Sequence, residues 1–151
     1  MPTPGTRSTL RREGVFQMTE QEQAHIETVR QALQLVLARH DSTRLADFFC
    51  DDAVVQINER RLEGLKQIAS RLDWIRANRP QVTLTIQRIF FQGDQGFDHH
   101  TTTLSDGSHA STIKVFGYIE MRGGKVALYE DVSIALDGRD QLTEATGIQT
   151  N

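Results

Sequence analysis

The last third of the chain, from Thr101 to Leu136, limits the possible folds most. It reads as long antiparallel strands joined by tight turns. Apolar and polar residues alternate over 82–92, 97–104, 110–122 and 125–136. The breaks fall at Gly93-Asp94-Gln95-Gly96, Ser105-Asp106-Gly107-Ser108 and Gly123-Gly124. The first half carries a different period. Thr19-Glu20-Gln21-Glu22 is a capping box, in which a hydroxyl serves the free backbone N–H groups of a helix start and a Glu three residues on reaches back. Behind it Ile26, Val29, Leu33, Val36, Leu37 and His40 follow helical spacing, which predicts a helix over about 20–39. Asp41-Ser42 recaps the chain, and Leu45, Phe48 and Phe49 form the inner face of a short second helix. A short β-branched strand is expected over 53–57 and a charged loop over 58–63. A third helix opens at Gly64, with Leu65, Ile68, Leu72 and Ile75 on one face and Trp74 at its flank, and stops at Pro80. The order α-α-β-α-β-β-β-β indicates α+β architecture, a curved, mostly antiparallel sheet wrapped as a cone around three helices. A cone of this kind encloses one small-molecule pocket.

At 151 residues the chain has room for one domain with a real core. The expected layout is a tail over 1–18, a single domain over 19–137 and a polar tail over 138–151. Met18, just ahead of the first helix signal, is an alternative start. The net charge of −3 with both signs interspersed lacks the basic stripe of a nucleic-acid surface. No apolar run approaches the length of a membrane span. Cys50 is the only cysteine, so neither an internal disulfide nor a thiolate metal cluster is expected, and a reducing cytoplasm fits.

The order of elements and several local motifs resemble the NTF2-like superfamily, the cone fold of nuclear transport factor 2, ketosteroid isomerase and SnoaL-like proteins. Phe48-Phe49-Cys50-Asp51-Asp52-Ala53-Val54-Val55 resembles that family's passage from helix into first strand. Gly64-Leu65-Lys66-Gln67-Ile68 resembles its third-helix start. Gly124-Lys125-Val126 with Tyr129-Glu130-Asp131 resembles its closing hairpin. The resemblance covers about residues 20–136. It implies that the acidic residues of isomerase-like members would fall near Ile57 and Phe116. Neither is acidic, so steroid isomerisation by that mechanism is not expected. Against limonene-epoxide-hydrolase-like members, Asp131 matches the last-strand Asp. The Arg-x-Asp pair falls on Asp98 and His100, and the water-holding Tyr and Asn positions fall on Val55 and Ile57.

Strand parity sorts the candidates into faces. Tyr129, Asp131 and Ser133 share one, Thr112, Lys114, Phe116 and Tyr118 another, and Asp98, His100 and Thr102 a third. The resemblance turns all three sets toward the cavity. His100 with Asp131 is then the expected acid–base pair, with Asp98 as a second carboxylate. Trp74, Phe116, Tyr118, Tyr129 and Lys114 are the expected ligand-binding residues. His99 and His100 are neighbours on a strand and point to opposite faces, so they cannot chelate one ion. Neither a metal nor a cofactor is expected.

Three functions stay open: an enzyme doing general acid–base work (isomerisation, cyclisation, hydration or epoxide opening), a module that only holds a small ligand, and a dimeric interaction module. The same parity gives the last strands an outer apolar face of Ile113, Val115, Ile119 and Met121 with Leu128, Val132 and Ile134. So large an exposed patch predicts a symmetric homodimer through that face.

Overall fold

A computed structural model describes residues 17–79 and 81–137, the last of these by its backbone alone. Most of both expected tails therefore lies outside the described residues. Helix α1 spans Glu20–Gln31. Thr19 Oγ1 accepts from Glu22 N, and Glu22 Oε1 accepts from Thr19 N at 2.8 Å, which closes the capping box. The helix runs on through a π-helical stretch, Ala32–Leu37, that the sequence period does not reveal. A 3₁₀ turn at Ser42–Arg44 leads into the one-turn α2, Leu45–Phe48.

Strand β1 spans Phe49–Ile57, four residues longer at its start than the β-branched run suggests. Its extra residues carry a register shift between Phe49 and Val54 that leaves Asp51 and Asp52 exposed. The expected loop over 58–63 holds a second strand, β2 at Arg60–Glu63, hairpinned onto β1. Its Arg-Arg pair hid it, because charge on an exposed edge strand looks like loop. Helix α3 is Gly64–Asn78, and β3 Gln81–Gln92, β4 Gln95–Ser105, β5 Ala110–Arg122 and β6 Lys125–Asp137 complete the chain.

The sheet order is β2-β1-β6-β5-β4-β3, antiparallel throughout except where β6 lies parallel to β1. The long return from β1 through β2, α3 and strands β3, β4 and β5 places the last strand beside the first. That brings Tyr129 opposite Val55 and Asp131 opposite Ile57. One face packs on the helices. Val29, Leu33 and Val36 of α1 and Ile68 and Leu72 of α3 meet Phe49, Val55, Phe91, Ile119 and Val126 there, and a smaller cluster joins Ile75 to Leu104, Ile113 and Val115.

On β5 the expected faces are inverted. Ile113, Val115 and Ile119 are fully buried and Met121 nearly so, whereas Phe116 is exposed. The register explains why. Gly117 pairs with Asp131 on one side and Asp98 on the other, and Ile119 pairs with Tyr129. Directly opposed residues share a face, so the aliphatic set of β5 belongs with Asp98, Tyr129 and Asp131. Lys114, Phe116 and Tyr118 face outward.

His40 closes the helical layer with φ +51, in the left-handed region, and is 5% exposed. Burial lowers its imidazole pKa to about 4, with the nearby Arg76 charge adding to the effect. The folded pKa lies below the ordinary 6.5, so this contribution to stability is complete above that value and is lost as pH falls toward 4. It amounts to at most about 3 kcal/mol. Thermal melts between pH 7 and pH 4 should show a steeper loss in the wild type than in His40→Asn, which tolerates the same backbone and does not titrate.

Candidate functional site

The inner face of the sheet and the helical layer enclose a cavity of about 70 Å³. Its walls are chiefly aliphatic, from Leu37, Val55, Ile57, Leu62, Ile68, Leu72, Ile75, Leu84 and Leu104, with Phe49 beside them. Its polar lining is His40, Arg71, His100, Thr102, Tyr129 and Asp131. Only a small ligand fits, for pockets that hold drug-sized molecules start at about 300 Å³.

Asp98 stands behind this lining with its side chain wholly buried. Its Oδ2 lies 2.5 Å from His100 Nδ1, and its Oδ1 accepts from the Tyr129 hydroxyl at 2.8 Å. All three residues are buried, at 3%, 4% and 3% exposure. A carboxylate against Nδ1 fixes the imidazole tautomer. The proton sits on Nδ1, and Nε2 is left to exchange protons with whatever occupies the cavity. Burial, then the charges of Asp98 and Asp131, raises the Tyr129 pKa well above the ordinary phenol value, so the hydroxyl stays a donor. Asp131, 7% exposed, lines the same cavity from β6. Its backbone carbonyl accepts from Asn58 N at 2.9 Å, and Asn58 also bonds Ser133 through side chain and backbone. That loop therefore pins β6 to β1 at the level of Asp131.

Gly117 makes the arrangement possible. A Cβ there would lie 2.3 Å from Asp98 Oδ1 and 2.8 Å from the Tyr129 ring carbon and hydroxyl. Gly117→Ala should therefore lower stability by about 1–3 kcal/mol, read as a fall in melting temperature, because neither neighbour can yield without breaking a buried hydrogen bond.

The structure brings His100, Asp98, Tyr129 and Asp131 together as the sequence suggested. It pairs His100 with Asp98 first, Asp131 being a separate lining group. It does not bring the other expected residues to this cavity. Phe116, Tyr118 and Lys114 lie on the outer face because parity on β5 is reversed. There Phe116 stacks on His99 at 4.5 Å, and the Tyr118 hydroxyl donates to Glu120 Oε1 at 2.8 Å. Trp74 is 38% exposed and outside the cavity lining, against the Arg79 guanidinium. His99, turned away from His100, has its pKa lowered chiefly by desolvation and then by Lys114 and Arg88. Among the described residues no three His, Cys, Asp or Glu side chains converge as a metal site would need. Arg71 was missed, yet helical spacing from Ile68 and Ile75 places it on the inward stripe of α3.

Comparison with known proteins agrees with this architecture. The chain is similar to an LEH-like epoxide hydrolase from M. tuberculosis at 22% identity and TM-score 0.67, covering 75% of this chain and 84% of that one. It is similar to a candidate SnoaL-like polyketide cyclase from Jannaschia sp. CCS1 at 12% identity and TM-score 0.71, covering 86% and 94%. A hypothetical protein from Catenulispora acidiphila DSM 44928 with a ketosteroid isomerase-like fold, in complex with trimethylamine, matches at 15% identity and TM-score 0.64 over 82% and 94%. At these identities the likeness is one of fold. No curated protein sequence matches the chain. The SnoaL-like domain model matches residues 29–129, two thirds of the sequence, and the chain thus belongs to the SnoaL-like domain family within the NTF2-like fold.

Proposed function

We propose that the protein is an enzyme that moves a proton on a small, mostly apolar molecule bearing an oxygen function, by isomerisation, cyclisation, hydration or epoxide opening. The observation that carries this reading is the buried Asp98–His100 contact at 2.5 Å, with the imidazole lining a chiefly aliphatic cavity. Neutral His100 accepts a proton at Nε2, the Asp98 carboxylate stabilises the imidazolium so formed, and Tyr129 holds Asp98 in place. The proton His100 takes from water or carbon is the one it returns to oxygen, which restores the neutral imidazole, and Asp131 on the same wall is a second carboxylate beside the reacting atoms. The apolar walls keep bulk water from both. The test is turnover of a panel of small cyclic epoxides and enolisable cyclic ketones, followed by NMR in deuterated buffer. Conversion or deuterium wash-in that depends on His100 supports the reading. Ligands that raise the melting temperature yet never react or exchange favour a binding module instead.

The outer face supports a homodimer, though through other residues than the sequence suggested on β5. Phe90, Phe97, Phe116, Val132, Ile134 and Leu136 are each about half exposed or more, and the first four of them line a groove of about 510 Å³. So many large apolar side chains on one face favour a self-complementary contact. Sedimentation should give twice the 17.1 kDa chain mass. No helix among the described residues is long and apolar enough to cross a membrane. A half-buried free thiol at Cys50 suits a reducing cytoplasm, where we place the protein.

A further inference from the structure

The cavity touches a second depression on the helix side of the molecule, a cleft of about 600 Å³. Leu62 and Arg71 line both, so those two side chains form the partition between inside and outside. The charge on the two sides differs. The cleft carries Arg60, Lys66 and Arg71 and no carboxylate. The cavity carries one permanent cation, Arg71, and that cation stands where the cleft begins. We propose that the cleft is the entrance and that the ligand carries a carboxylate, which docks on Arg71 while the apolar body fills the cavity. The proposal rests on the acid–base reading above only in assuming that the cavity holds the ligand.

Three physical points support it. Two cations on an open cleft with no opposing acid raise the local concentration of anions and speed their entry. A guanidinium presents five N–H donors in a planar fork, enough to keep bonds within the protein and still meet an incoming carboxylate. Asp98 is already matched by His100 and Tyr129 and stands behind them, so its charge does not face the ligand, and Asp131 is the one carboxylate in the cavity lining. A ligand bound by its acid group at the partition would lay its neighbouring carbons along His100 and Asp131, where protons are exchanged.

Calorimetry on the full chain tests this with paired probes, cyclopentanecarboxylate against cyclopentanecarboxamide and pentanoate against pentanamide. The carboxylate should bind about tenfold tighter or more, the worth of one hydrogen bond to a charged group. The gap should narrow as salt is added. Arg71→Gln should erase it and Arg71→Lys should restore part of it. Arg60→Glu with Lys66→Glu should slow carboxylate association several-fold at low salt and have little effect at high salt. Amides binding as well as carboxylates overturn the proposal. So does a gap that survives in Arg71→Gln, or binding of neither probe at millimolar concentration. The wild-type ratio decides even if Arg71 variants fold poorly. His100→Ala separates this proposal from the acid–base reading. It should abolish turnover and keep the carboxylate preference, and either result can fail alone.

Discussion

His100→Ala should lower turnover by about two to four powers of ten and should also cost stability, about 3 kcal/mol or more. The first effect follows from losing the one imidazole in the cavity lining whose tautomer is fixed by a buried carboxylate. The second follows from what is left behind. Asp98 has a wholly buried side chain held by His100 and Tyr129, and removing His100 strands its charge with a single phenol. A double variant separates the two roles. Asp98→Asn added to His100→Ala removes the stranded charge, so the melting temperature should recover most of its loss while turnover stays where His100→Ala left it. Asp98→Asn alone should keep the fold and lose much of the activity. An amide N–H turned toward Nδ1 moves the imidazole proton to Nε2, the wrong end for a base. Full turnover in His100→Ala would remove this residue from the mechanism.

The residues of this site show where sequence patterns suffice. Strict alternation within β4 and β6 puts Asp98 on one face with His100 and Tyr129 on one face with Asp131, and the family resemblance turns both sets toward the cavity. The capping box at Thr19, the helix breaks and the closing turns were readable for a similar reason, since each depends on neighbours in sequence. The pairing of His100 with Asp98 rather than Asp131 was not readable. Residues two apart on one strand and residues across three strands are equally eligible until the register is known. On β5 the error came from choosing aromatic residues for the pocket. The alternative set, Ile113, Val115, Ile119 and Met121, carries no charge, whereas Thr112, Lys114, Phe116, Tyr118 and Glu120 include two charged residues, and a charged face belongs in water. Gly117 was a further unused signal. A glycine inside an otherwise β-branched strand marks a close approach, here by Asp98 and Tyr129. Arg71 was hidden in a helix judged by its apolar stripe alone.

The reversed face yields the sharpest stability contrast. Val115 is fully buried on the inner face, beside Ile113, Leu104 and Ile75. Val132 is 58% exposed, and it neighbours Phe116 across the outer ladder. A glutamate at either position replaces a similar apolar contact, yet the outcomes should differ in kind. Val115→Glu pushes a larger, charged side chain among Ile113, Leu104 and Ile75, whose side chains have no polar atom to meet it. The loss should be about 4 kcal/mol or more, enough to leave the chain unfolded or insoluble. Val132→Glu meets water in a lone chain, so its fold and its melting curve as a monomer should be nearly unchanged. In a dimer closed through the outer face, each chain would carry this charge into an apolar contact without a partner to meet it. Sedimentation of Val132→Glu should therefore show a single 17.1 kDa species with native circular dichroism, against a heavier wild type. A wild type already at the single-chain mass would remove the dimer. A soluble, stable Val115→Glu would return that residue to the surface and, with it, Phe116, Tyr118 and Lys114 to the cavity.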